Sequence, residues 1–331
     1  MEKVMKKISL LAASILVAGS AFATEQTPLT FDTYNADQNS FYVNSTLIIG
    51  ENEVMLIDTG FTKADALRIA AKILDTGKEL KTIFISQADP DYYFGAEVLH
   101  SLFPEADIVT THAVQKVIEK KLPSKLKVWG PRMGLNAPVT PYIPQAIEAT
   151  NLTLEGHKIE IKGTSGILAH RPYLWVPSSK AILGNVAIYG DLHLWMADSQ
   201  TEQSQKAWSA QLKEMQALQP EVVIPGHMKS GTALNVETIR YSQQYLQDFS
   251  EAKNSRAELS VPCRPLGDLS WTPGGGGSLY CLVNCLQLFP DCGHGAAGYF
   301  FNSRREAGNL VWFLIQPFGR CCCWHVVFSD G

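Results

Sequence analysis

Apolar, β-prone runs in this chain repeatedly give way to loops that carry polar or charged groups. Five such loops hold Asp58, the turn Gln87-Ala88-Asp89-Pro90-Asp91, His170, Asn185 with Asp191 and His193 close behind, and His227. Between the runs lie stretches with helical spacing of apolar residues. Strands alternating with helices predict an α/β domain, and side chains placed just past strand ends are those that an open sheet brings together from distant parts of the chain.

The runs themselves are short and bounded by turn residues. Ser45–Ile49 and Val54–Asp58 flank Gly50-Glu51-Asn52 and read as a hairpin. Thr62 followed three positions later by Asp65 has the form of a capping box, with Leu67, Ala70, Ala71 and Leu74 as the expected apolar stripe of the helix behind it. Thr82–Ile85 predicts a strand entering the acidic turn, and Tyr93–Leu102 a helix leaving it. Residues 122–145 contain Pro123, Pro131, Pro138, Pro141 and Pro144 and read as a long irregular connection, either a cover over a site or a surface linker. The second half repeats the style. Strands are expected at Leu152–Leu154, Ile159–Ile161, Tyr173–Val176, Ala181–Leu183 and Glu221–Ile224, and helices around Trp208, Leu212, Met215 and Leu218 and around Val236, Ile239, Leu246 and Phe249. Two sheet halves with helices outside account for all of it.

Two compositional signals divide the 331 residues. Lysine is frequent up to Lys253 and absent afterwards, and all seven cysteines (Cys263, Cys281, Cys285, Cys292, Cys321, Cys322 and Cys323) follow that point. Residues 256–331 therefore form a separate Cys/Gly-rich tail. A disulfide or metal module and a partner-binding extension are alternatives for it, but three adjacent cysteines, a Gly274–Gly277 run and missing hydrophobic periodicity favour a frameshifted or otherwise unselected, disordered segment. At the other end, Lys3, Lys6 and Lys7, an apolar run from Ile8 to Ala18, and Ala21-Phe22-Ala23 have the order of a secretory signal peptide over residues 1–23, cleaved before Thr24. The expected location is the periplasm or outside the cell, with no membrane contact after cleavage. A net charge of -4 with scattered Lys and Arg gives no nucleic-acid footprint. The domain proper is residues 24–255, and its sequence leaves the oligomeric state open.

Asp89 and Asp91 repel one another unless a cation or a set of donors offsets them. Asp91 is equally placed to cap the helix that follows, and the two roles can coexist. His100, His112 and His157 have no partner in the sequence pattern, and no serine or cysteine sits in a nucleophile motif.

The order Leu56-Ile57-Asp58-Thr59-Gly60, then Ser86-Gln87-Ala88-Asp89-Pro90-Asp91-Tyr92-Tyr93-Phe94-Gly95, then Pro225-Gly226-His227 resembles the metallo-β-lactamase superfamily over about residues 30–250. The resemblance implies an αββα four-layer sandwich. It also implies a metal site, but the family's His-x-His-x-Asp-His cluster is here Gln87, Asp89, Asp91 and Tyr92, and only the aspartate, Asp91, is kept. Asp-Pro-Asp-x-Tyr-Phe-Gly, with Trp175-Val176-Pro177 and Trp195-Met196-Ala197-Asp198 downstream, resembles a divergent branch of that family.

By the resemblance the metal ligands are Gln87, Asp89, Asp91, His170, Asn185 and His227, the catalytic residues are Asp91 and Asp58, and Tyr92 and His193 line the site. The cofactor implied is a divalent metal, zinc in the family at large. A harder ion such as Mn²⁺, Mg²⁺ or Ca²⁺, or none, is the alternative, because oxygen donors replace imidazoles. The expected activity is an exported metal-dependent hydrolase whose metal-activated water attacks a small ester, amide or lactam, or phosphodiester substrate. The alternative is a non-catalytic protein on the same fold that has lost its metal and holds a small molecule against Tyr92, Tyr93 and Trp129.

Overall fold

Leu47 and Ile48 are both buried, yet they point to opposite sides of one strand. The same alternation holds at Val54 and Leu56 against Met55 and Ile57, and at Ile83 against Phe84. A sheet whose strands are apolar on both faces must be covered on both faces. The computed structural model shows how, for the residues it describes: 26–255, 300–306, 309–315 and 326–328. The expected signal peptide and all seven tail cysteines lie outside the described residues.

The first sheet runs in spatial order from β1 (Thr30–Asn35) through β2 (Asn44–Ile49), β3 (Glu53–Ile57), β4 (Glu79–Phe84) and β5 (Asp107–Thr111) to β6 (Gln145–Ile147). Its first three strands pair antiparallel and the remainder parallel. On its outer face pack α1 (Lys63–Asp75), α3 (Ala96–Leu102) and α4 (His112–Met133), with the short α2 (Pro90–Tyr93) between β4 and α3.

The second sheet combines β7 (Asn151–Leu154), β8 (His157–Lys162), β9 (Tyr173–Val176), β10 (Ala181–Leu183) and β12 (Val222–Val223), with β12 beside β10. Trp208, Leu212 and Met215 of α5 (Glu202–Ala217) and Ile239 and Leu246 of α6 (Glu237–Ser255) cover its outer face. Between the sheets, Ile48, Met55, Ile57, Phe84 and Val109 meet Leu154, Ile159, Leu174, Val176 and Leu183. The layers are helix, sheet, sheet, helix, the four-layer sandwich expected. A two-residue pair, β11 (Tyr189–Gly190) with β13 (His227–Met228), lies outside the main sheets. In the tail, Phe300–Glu306, Asn309–Ile315 and Val326–Phe328 pair antiparallel as a sheet of their own. No helix among the described residues is long and apolar enough to cross a membrane.

Three expectations change. Helix α1 starts at the expected capping box, where the Thr62 hydroxyl accepts from Asp65 N–H and Thr62 N–H donates back to the carboxylate. Its inward face, however, is Ala66, Ile69, Ala70 and Ile73, while Leu67 and Leu74 are 55% and 67% exposed. Both stripes fit the helical period. Asp65 decides between them, because its buried carboxylate accepts from Tyr34 Oη at 2.7 Å and Ser40 Oγ at 2.6 Å and so fixes the rotation of the helix.

The helix expected over Tyr93–Leu102 is two pieces, broken at Phe94-Gly95. A Cβ on Gly95 would come within 2.0 Å of the Thr59 carbonyl oxygen, so the chain turns there where only glycine fits.

The proline-rich stretch is helical as far as Met133, running through Pro123 and Pro131. Each proline removes one backbone donor and strains the turn before it. Leu122, Leu126, Trp129 and Met133 recur at helical spacing and pack on the first-half core, which offsets that loss. Only residues beyond the helix, around Pro138, Pro141 and Pro144, form the irregular connection.

Candidate functional site

The acidic turn is clamped before any ligand is considered. Asp58, at the end of β3 with a φ of 63°, accepts from Ser86 N–H and Ser86 Oγ, both at 2.7 Å. Burial pushes its carboxyl up to about 7, against the pull of those two hydrogen bonds. Thr59 N–H and its hydroxyl both donate to the Tyr92 carbonyl, at 2.8 and 3.1 Å. The turn is thereby bound at both ends to the loop after β3. Asp58 therefore positions the turn.

From this fixed turn the side chains diverge into two compartments. The first is charged. Gln87, Asp89, His170, Arg171, Lys121 and Asp198 line a cavity of about 70 Å³ beneath α4. Lys125 Nζ stands 3.5 Å from Asp89 Oδ1. Burial works against the charge on Asp89, but Lys125, Lys121 and Arg171 outweigh it and hold the carboxylate below its usual range. Arg171 is itself fixed, donating to Ser199 Oγ at 3.0 Å with its guanidinium 5.7 Å over the Trp208 ring. The Gln87 amide nitrogen donates to the Pro172 carbonyl at 3.0 Å. Burial, then Arg171 and Lys121, lower the pKa of His170, which keeps its imidazole neutral.

The second compartment is neutral and closed. His227 donates from Nδ1 to the Phe41 carbonyl at 2.9 Å, which leaves the Nε2 lone pair toward Asp91, whose Oδ2 is 3.5 Å away. Burial pushes Asp91 up to about 8, with the nearby Asp89 adding to it, and burial pushes His227 down to about 4. The Tyr189 ring stacks on the imidazole at 5.1 Å, and the Tyr92 ring meets it edge-on at 5.5 Å. Tyr92 Oη donates to the Asn185 carbonyl at 3.3 Å. A Cβ on Gly226 would lie 2.0 Å from that same carbonyl oxygen, so the three loops meet at van der Waals limits. The N-terminal segment seals them. Asn44 donates to the carbonyls of Pro225 and Gly226, and Asn35 to that of Met228.

The remaining expected residues are committed elsewhere. Asn185 accepts from Ile188 N–H at 2.9 Å and donates to the Ile224 carbonyl at 3.1 Å, so both ends of its amide brace the loop. The His193 ring packs edge-on against Tyr245 of α6, its Nδ1 3.2 Å from the tyrosine oxygen. Asp91 sits in the first turn of α2, while Asp89 occupies the N-cap position without a capping bond. Tyr93 lies in the first-half core, and Trp129 packs edge-on against Phe41 and Phe61, at 5.5 and 5.3 Å. Lys121, Lys125 and Arg171 were not singled out from sequence. Their signal was faint: two lysines one turn apart, and an arginine directly after His170.

A divalent ion, implied by the resemblance, does not fit this donor set. Among the described residues no three His, Cys, Asp or Glu side chains stand close enough to share one. The reason is physical. Asp89 already has its positive partners, the Asn185 amide serves the backbone, and Asp91 with His227 lies in a different compartment from His170.

Residues 39–227, more than half of the chain, match the family model described as the metallo-beta-lactamase superfamily. No curated protein matches. Among solved structures, a metallo-beta-lactamase family protein from Thermus thermophilus is similar at 16% identity, over 71% of this chain and 83% of that one, with a TM-score of 0.50. The DIM-1 metallo-beta-lactamase is similar at 16% identity, over 68% of this chain and 100% of that one, with a TM-score of 0.49. With the four-layer sandwich and the order of the strand-end loops, the family match establishes that this chain belongs to the metallo-beta-lactamase superfamily.

Proposed function

We propose that this protein is an exported, metal-free binding protein that uses a metallo-hydrolase-like fold to hold the polar end of a small organic solute beside Asp89. One observation carries the reading: the cavity at the acidic turn presents Lys121 and Arg171 beside the Asp89 carboxylate, with Asp198 also in its lining and Lys125 paired to Asp89 at 3.5 Å. That is a setting for hydrogen-bonding, charge-bearing ligand groups. At about 70 Å³ the cavity is far below the ~300 Å³ at which small-molecule sites usually begin, so what enters is a group the size of a carboxylate or phosphate.

The test uses the full chain. Thermal unfolding is followed with zinc, manganese, magnesium and calcium in one arm and with acetate, alanine and inorganic phosphate in the other. Elemental analysis and assays against ester, lactam and phosphodiester substrates run alongside. The expected result is a rise in melting temperature with one or more of the organic or phosphate solutes and none with metals. A stoichiometric bound ion together with cleavage of any of the three substrate types overturns the reading in favour of the hydrolase.

A further inference from the structure

We propose that Lys125 is a tethered counter-ion: its ammonium, carried on α4, supplies to Asp89 the positive charge that a bound cation would otherwise supply. The inference rests on the metal-free reading above and adds a cause to it.

Asp89 and Asp91 come from one tight turn; Asp91 is buried, and the Asp89 side chain, 26% exposed, opens on the cavity beneath α4. Two carboxylates so close, one of them buried, need compensation. Asp91 finds a partner in His227 Nε2, 3.5 Å away. Asp89 has its compensation from Lys125 Nζ at 3.5 Å, with Lys121 one helical turn earlier on the same face of α4. Lysine is suited to the part, since its ammonium is a compact point charge on a flexible stem.

The helix that brings it is anchored. Trp129, one turn beyond Lys125, stands edge-on between Phe41 and Phe61, and the Arg132 guanidinium lies 5.2 Å over the indole. The Phe41 carbonyl is the acceptor for His227 Nδ1. The ammonium is thus presented to Asp89 by the same packing that closes the second compartment. A covalently attached cation competes with free ions at an effective concentration they do not reach in solution. Metal binding at Asp89 and its ion pair with Lys125 are then mutually exclusive.

The experiment measures zinc and manganese uptake by the full chain in competition with a chromophoric chelator, for wild type, Lys125→Met, Lys125→Arg and the double variant Lys125→Met/Asp89→Asn. Wild type and Lys125→Arg are expected to take up no ion. Lys125→Met is expected to gain affinity by roughly tenfold or more for at least one of the two metals, and the double variant to lose that gain. If Lys125→Met behaves as wild type and both stay metal-free, the tethered charge is overturned while the binding-protein reading stands. If the gain persists in the double variant, the ion sits elsewhere and the inference falls. Stoichiometric uptake by wild type, unchanged in Lys125→Met, overturns both.

Discussion

The Nε2 atom of His227 lies 3.5 Å from Oδ2 of Asp91, and around neutral pH the two form an uncharged pair in place of a salt bridge. Burial drives both toward their neutral forms, the acid up to about 8 and the imidazole down to about 4. The pair on which a hydrolytic reading would centre is a packed element of the core loops.

That pair makes stability depend on pH in a definite direction. Asp91 is raised above its unfolded value, so its contribution is complete below about pH 4 and is lost as pH rises through about 8. Asp58, pushed to about 7, acts with the same sign. His227 is depressed, so its contribution is present above about pH 6.5 and is lost as pH falls through about 4. Between about pH 7.5 and 8.5 the depressed histidines, whose unfolded forms titrate near 6.5, have finished changing, and Asp91 is still losing its proton. Urea midpoints of wild type should fall across that interval, and those of Asp91→Asn should fall distinctly less. An equal slope in the variant would show that Asp91 is not protonated in the native state.

Asp65 joins helix α1 to the N-terminal segment through Tyr34, Ser40 and Thr62. Removing one cap should cost about 1 kcal/mol, whereas removing the shared acceptor leaves several buried donors unsatisfied. Thr62→Ala is therefore expected to lose about 1 kcal/mol and Asp65→Ala roughly 3 kcal/mol or more. Chemical denaturation of the two single variants and the double checks this, and the double should lose less than the sum because both act through one network.

The rotation of α1 can be read from two adjacent residues. Ile73→Ala is expected to lose roughly 2–4 kcal/mol, the usual cost of emptying a core position. Leu74→Ala, one residue on and largely exposed, should change stability by less than about 0.5 kcal/mol. Comparable losses at the two positions would mean that the helix presents its other stripe.

Gly226→Ala places a methyl group 2.0 Å from the Asn185 carbonyl oxygen and 2.6 Å from Tyr92 Oη. A backbone atom held in its own network cannot yield as a side-chain tip can. The loss should exceed roughly 3 kcal/mol or prevent soluble expression. A variant that melts near wild type would require the three loops to be looser than their hydrogen bonds indicate.

The sandwich was legible because its strands are short, doubly apolar and bounded by turn residues, and because Thr62 and Asp65 mark a helix start with two reciprocal bonds. The face of α1 was not, since Leu67 and Leu74 satisfy the period as well as Ile69 and Ile73 do. Only Asp65's long-range partners Tyr34 and Ser40 break the tie. Helix α4 was hidden by prolines whose local cost is offset by tertiary packing of Leu126 and Trp129. At the site, the turn was legible as a position but not as chemistry. Whether Asp89 faces a metal or a lysine depends on Lys125, 36 positions away on a helix the sequence did not announce.

The seal between the N-terminal segment and the last loop has a consequence for the order in which the molecule is made. Phe41 accepts from His227 across 186 residues, and Asn44 and Asn35 reach Pro225 and Met228 across 181 and 193. A ribosome therefore delivers the whole first sheet, with its covering helices, before the residues that lock the second compartment exist. At about 5–20 residues per second, the stretch from Ile147 to His227 takes roughly 4–16 seconds. During synthesis the acidic turn stands open to whatever surrounds it. The second compartment can close only after every strand of the two main sheets has been made.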